Sequence, residues 1–150
     1  MTTNTLLKRL FAVCAALVLA ALGACSSMGG MGGMGGAMAG TKLSGDQEVP
    51  PVTTSATGTS MINVAADGSV SGSVSTTGVD GTMAHIHMAP SGKNGPVVVP
   101  LTKGAQGAWM VAPGAKLTAE QLKAYQAGEL YVNVHSAANK GGEIRAQMKP

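Results

Sequence analysis

Ser60-Met-Ile-Asn-Val-Ala-Ala-Asp-Gly-Ser-Val-Ser-Gly-Ser-Val-Ser75 reads as two β-strands, 60–65 and 69–75, joined at Asp67-Gly68. Asp-Gly accepts the positive φ angles of a tight hairpin turn, and both flanks carry small or β-branched residues in alternation. Outward from this hairpin, Met83–Met88, Val97–Leu101, Ala108–Val111, Leu130–His135 and Glu143–Met148 read as further short strands. Pro50-Pro51, Pro90, Gly95-Pro96 and Pro113-Gly114 punctuate the spaces between them. One helix is predicted: Thr118 caps it, Gln121 completes a capping box, Leu122, Ala124 and Tyr125 follow, and Gly128 ends it. Short strands at close spacing predict an all-β fold, an antiparallel sandwich or barrel with one short helix in a connection.

The three histidines of the chain fall within two of these strands. Strand residues two apart point to the same face, so His85 and His87 share a side, as do Tyr131, Asn133 and His135. Leu130, Val132 and Val134 take the opposite face. If the two strands pair, three imidazoles converge on a face whose reverse is aliphatic. Neutral imidazoles in that number suit Zn(II) or Cu(II), with a position left for water. Met83, two before His85, is a candidate soft axial ligand or packing residue. Asn133 or Glu143 is a candidate partner for the second ring nitrogen of a histidine. The alternative is a polar sheet face without metal, its histidines satisfied by carbonyls, hydroxyls or a Glu143–Arg145 ion pair. Met88 and Met110 read as core filler, and Glu129 as solvated.

The first residues read as an address. Lys8 and Arg9 precede an apolar run from Leu10 to Leu22, too short for a comfortable membrane-spanning helix and ordered like a secretion signal. Leu22-Gly-Ala-Cys25 resembles the lipobox of bacterial lipoproteins. That resemblance implies a signal peptide over 1–24 and an acylated Cys25, with Ser26 favouring the outer over the inner membrane. Residues 25–40 are too rich in glycine to order themselves by burial and read as a flexible tether. Met28, Met31, Met34 and Met38 are soft ligands able to capture Cu(I), or incidental residues of a spacer.

The formal charge of +3 includes Lys8 and Arg9; without them eight basic and seven acidic side chains remain. A near-neutral domain has no electrostatic footprint for nucleic acid. Cys14 falls in the signal and Cys25 at the anchor, so residues 41–150 must hold together without a disulfide.

Three blocks of this domain carry a family resemblance. Leu43-Ser-Gly-Asp-Gln-Glu-Val-Pro-Pro-Val52, Ala84-His-Ile-His-Met-Ala-Pro-Ser-Gly-Lys-Asn-Gly-Pro-Val-Val-Val-Pro-Leu101, and Leu117-Thr-Ala with Ala127-Gly-Glu-Leu-Tyr-Val-Asn-Val-His-Ser136 and Gly141-Gly-Glu-Ile-Arg145 resemble the CHRD domain, a module named for its occurrence in chordin. The blocks run in family order across residues 41–150. The resemblance implies an immunoglobulin-like or superoxide-dismutase-like β fold, and adds Glu48, within its opening block, as a candidate outer-shell residue. Bacterial CHRD domains commonly follow a secretion or lipoprotein signal.

Two functions from different classes follow. One is a lipid-anchored envelope module that binds one copper or zinc ion through His85, His87 and His135 without catalysing a reaction. The other is a structural or protein-interaction module of the envelope, in which the histidines support architecture. A two-metal dismutase is excluded, because it needs more histidines and a disulfide. No nucleophile motif, paired-carboxylate spacing or phosphate loop points to another enzyme.

Overall fold

The computed structural model describes residues 40–150. In chain order it forms β1 (Thr41–Ser44), a 3-10 turn (Gly45–Gln47), β2 (Thr57–Ser60), β3 (Asn63–Val64), β4 (Val70–Ser71) and β5 (Ser73–Thr77). Then follow β6 (Gly81–Met88), β7 (Val97–Lys103), β8 (Ala108–Val111), α1 (Ala119–Gln126), β9 (Leu130–Ser136) and β10 (Ile144–Gln147). Eight strands close an antiparallel barrel in the order β1-β10-β9-β6-β7-β8-β5-β2, and β3 and β4 form a separate two-stranded sheet. The all-β expectation with one short connecting helix holds, and of the two architectures expected the chain takes the barrel.

The Asp67-Gly68 turn forms, with Gly68 at φ 85° and Asp67 accepting hydrogen bonds from the Ser69 amide (2.9 Å) and hydroxyl (2.8 Å). Its two arms are not unbroken strands. Ser60 pairs with Val74 and Asn63 with Ser71 in one register, but the ribbon breaks between them. Gly72 sits at φ 110°, where a side chain would strike the Met61 carbonyl, and the bend there separates the barrel part from the β3–β4 tip. A further difference is β1, which closes the barrel but was not among the expected strands. Its four residues bury one apolar side chain, Leu43, too few for a readable alternation.

The helix begins as expected. Gln121 N–H donates to Thr118 Oγ1 (3.2 Å), and Thr118 N–H donates to Gln121 Oε1 (2.9 Å). Gly128, at φ 74°, ends the turn, and Tyr125 and Leu122 pack against the barrel core. That core is lined by the inward set of each strand, including Leu43, Val74, Ile86, Trp109, Val132 and Ile144. Met88 packs against the core, whereas Met110 is 47% exposed, on the outward side of β8. Its expected place in the core is therefore corrected: in β8 the inward positions go to Trp109 and Val111. Cys25, the signal segment 1–24 and Met28, Met31, Met34 and Met38 lie outside the described residues.

Candidate metal centre

β6 and β9 are antiparallel neighbours, with His85 opposite Asn133, Ile86 opposite Val132 and His87 opposite Tyr131. Ala84, Ile86, Leu130, Val132 and Val134 fill the inside of the barrel. His85, His87, Tyr131, Asn133 and His135 therefore stand together on its outer wall. That wall is not open to water: Tyr131, Asn133 and His135 are buried, as is His87. Loops cover it. Asn94 Nδ2 donates to the Val49 carbonyl (2.7 Å), Arg145 donates to Asn94 Oδ1 (3.1 Å) and the Lys93 carbonyl (2.8 Å), and Gln147 donates to the Ala89 carbonyl (3.0 Å).

Within this cover the three imidazoles place one nitrogen each within 4.8 Å of the others. His87 Nδ1 lies 3.0 Å from the Gly95 carbonyl and His135 Nδ1 lies 2.9 Å from the Lys140 carbonyl. A carbonyl only accepts, so both Nδ1 atoms carry the proton and both Nε2 atoms keep a lone pair. His135 Nε2 is 3.1 Å from His85 Nδ1, which donates to it when no ion is present. His87 Nε2 is buried and has no hydrogen-bond partner. The Asn133 amide lies close enough to raise the proton affinity of His87 without closing that bond. An unpartnered buried nitrogen of this kind opposes stability by about 1–3 kcal/mol, and a ligand that binds it recovers that cost.

These rings fit a metal ion. Two nitrogens bound to tetrahedral zinc at about 2.0–2.1 Å stand about 3.3 Å apart, close to the 3.1 Å between His85 Nδ1 and His135 Nε2. Burial lowers the pKa of all three histidines below the ordinary imidazole value; for His85 the neighbouring imidazoles act in the same direction. Neutral rings with a fixed tautomer are the form that binds a metal.

A match to the CHRD domain family model covers residues 39–148. The chain belongs to the CHRD domain family. Comparison with curated proteins and with solved structures gave no match.

The CHRD domain folds so that residues far apart in sequence back the histidine trio. Glu48 is 3% exposed and reaches the Asn133 amide, with the Arg145 charge also near it. Burial pushes its pKa up to about 7, against the hydrogen bond from Asn133 and the attraction of Arg145, and Oε1 has no partner. Gly142 makes this approach feasible: a side chain there would collide with the Glu48 carboxylate and Asn133 Nδ2. Glu143 stands elsewhere. Its carboxylate accepts from Ser136 and from Thr54 Oγ1 (2.8 Å), and carbonyls orient the histidine rings in its place. The expected Glu143–Arg145 ion pair does not form. Arg145 instead lies 3.4 Å over the Tyr131 ring, a cation–π arrangement that lets a buried guanidinium keep its charge. Met83, 50% exposed, is at the edge of the trio.

Sequence reasoning passed over Tyr131 and Arg145 as parts of the site. Tyr131 stacks on His87 with centroids 4.8 Å apart and planes 4° from parallel. Because β6 and β10 flank β9 on opposite sides, the phenol is sandwiched between His87 and the Arg145 guanidinium. The signal was present, since Tyr131 alternates in phase with Asn133 and His135. The Gly95 carbonyl was hidden: nothing short of the folded loop shows that a side chain there would strike the Met88 carbonyl.

Proposed function

We propose that this CHRD-domain protein is a lipid-anchored, non-catalytic module of the cell envelope that binds one copper or zinc ion. His85 Nδ1, His87 Nε2 and His135 Nε2 are the ligands. One observation carries the reading: His87 Nε2 is buried without a partner, in a three-histidine cluster where His135 likewise binds a carbonyl through Nδ1 and keeps its lone pair on Nε2. A bound ion supplies a cross-link between β6 and β9 that satisfies this nitrogen, and serves capture or buffering of the metal. The rings act as ligands, and none as acid or base. Attachment through an acylated Cys25, with the outer membrane favoured, rests on the lipobox resemblance, and the near-neutral charge supports no nucleic-acid partner.

The test is equilibrium dialysis of the full chain against Zn(II) and Cu(II). We expect one equivalent held by the trio and lost in both His87→Ala and His135→Ala. Retention of that equivalent in both variants overturns the ligand assignment.

A second reading has its own support. The His85–His135 hydrogen bond and the two carbonyl contacts hold most of the wall together without an ion. In that case the domain is an envelope interaction module with a protein partner, and the dialysis shows no equivalent bound.

A further inference from the structure

The β6–β9 ladder contains one irregularity, and it falls beside the trio. Gly81 pairs with Ser136, but Met83 rather than Thr82 pairs with His135. Had the ladder run on evenly from Gly81, Thr82 would face His135 and Met83 would point into the barrel opposite Val134. One extra residue, inserted as a β-bulge, reverses this and sends the Met83 thioether to the histidine face. Residues directly opposite in an antiparallel pair bring their side chains into reach, so Met83 is a direct neighbour of His135 and, two positions along β6, of His85.

The remaining edge of the site carries no competitor. On β7, Pro100 stands opposite His85 and Val97 opposite His87, and neither has a donor for a metal. His87 is closed over by the segment of Gly95, and His135 by that of Lys140. His85, the least buried of the three, and Met83, 50% exposed, form the solvent side. Met61 and Met110 are comparably exposed, so it is the position opposite His135 that singles Met83 out.

We propose that Met83 is the fourth, solvent-facing ligand, giving the site a three-imidazole, one-thioether set that takes Cu(I) and passes it in and out through Met83. This rests on the assignment of the histidines as ligands. A thioether is a soft donor that adds little to the binding of Zn(II) and much to that of Cu(I). A thioether at this position thus favours copper over zinc, which the histidines alone bind alike.

The test compares Met83→Leu, which keeps the volume and apolar character of the side chain, with the parent. Both are full chains in which Met28, Met31, Met34 and Met38 are changed to Ser, so that thioethers ahead of the domain do not contribute. Cu(I) affinity is measured by competition with a chromophoric chelator, Zn(II) affinity by dialysis, and the copper ligands by X-ray absorption. The expected result is a loss of about tenfold or more in Cu(I) affinity in Met83→Leu, with Zn(II) affinity changed by less than about twofold. One sulfur scatterer should be present in the parent and absent in the variant. Unchanged Cu(I) affinity, or a parent spectrum without sulfur, overturns the role of Met83 while zinc binding leaves the histidine assignment standing. A parent that binds neither metal overturns both.

Discussion

The inner and outer faces of the β6–β9 pair are made by the same two strands and buried by opposite means. Inside, Ile86 and Val132 meet as register partners at 0% exposure in an apolar core where one buried side-chain polar atom, Trp109 Nε1, is without a partner. Outside, His87, Asn133 and His135 are nearly as buried, yet each polar atom needs a partner, and loops supply carbonyls to some of them. Burial of the inner face stabilises by removing apolar surface from water. Burial of the outer face opposes stability wherever an atom is left over, as at His87 Nε2, Asn133 Oδ1 and Glu48 Oε1. Packing accounts for most of the inner face, whereas the outer face gathers three of the four unpartnered buried side-chain atoms among the described residues around its histidines.

The sharpest break of this comparison is on the inside. Ile86→Ala leaves a cavity with no route to collapse in a closed barrel, and should lower unfolding free energy by about 2–5 kcal/mol in urea. In the fraction that stays folded, metal stoichiometry should be unchanged, because the side chain lies on the reverse of the wall. A stability loss below about 1 kcal/mol would mean that the inner face is not the main support of the fold.

On the outer face a substitution should act through charge, with an effect that grows as pH rises. Glu48 holds its proton to about pH 7 in the folded chain, against 4.5 in the unfolded one. Its contribution is thus present in full below 4.5 and is lost as pH rises through 7. Glu48→Gln removes that dependence, so the variant should gain on the parent by about 2–3 kcal/mol between pH 4.5 and 8. The histidines act in the opposite direction. Their folded pKa values are depressed, so the metal-free chain should lose stability as pH falls below the ordinary imidazole value of 6.5. Urea unfolding across this range, parent against variant, separates the two. A constant difference between them would show that Glu48 is ionised throughout.

Much of this arrangement was legible in the sequence. Period-two alternation at 83–88 and 130–135 assigns residues to the two faces without knowledge of the fold, and the capping box of α1 needs no tertiary information. What alternation cannot show is which loops return to cover a face. The Gly95 and Lys140 carbonyls return to His87 and His135 from the loops that directly follow β6 and β9, and Glu48 reaches the wall from the connection after β1. Nor does alternation count residues correctly through a bulge. Met83 belongs with the histidines because the local pattern from 83 to 87 holds, but its place opposite His135 comes from the extra residue at Thr82. β1 shows the same limit from the other side, since four residues with one apolar member become a strand only because β2 and β10 offer their edges.

The most direct measurement is long-range 1H–15N NMR of the histidine side chains during a Zn(II) titration at pH 7.5. Without metal, His87 and His135 should both show the tautomer protonated at Nδ1. On addition of one equivalent, their Nε2 resonances and the Nδ1 resonance of His85 should shift together and then stop. An Nε2-protonated His87, or side-chain nitrogens that ignore the metal, would contradict the account.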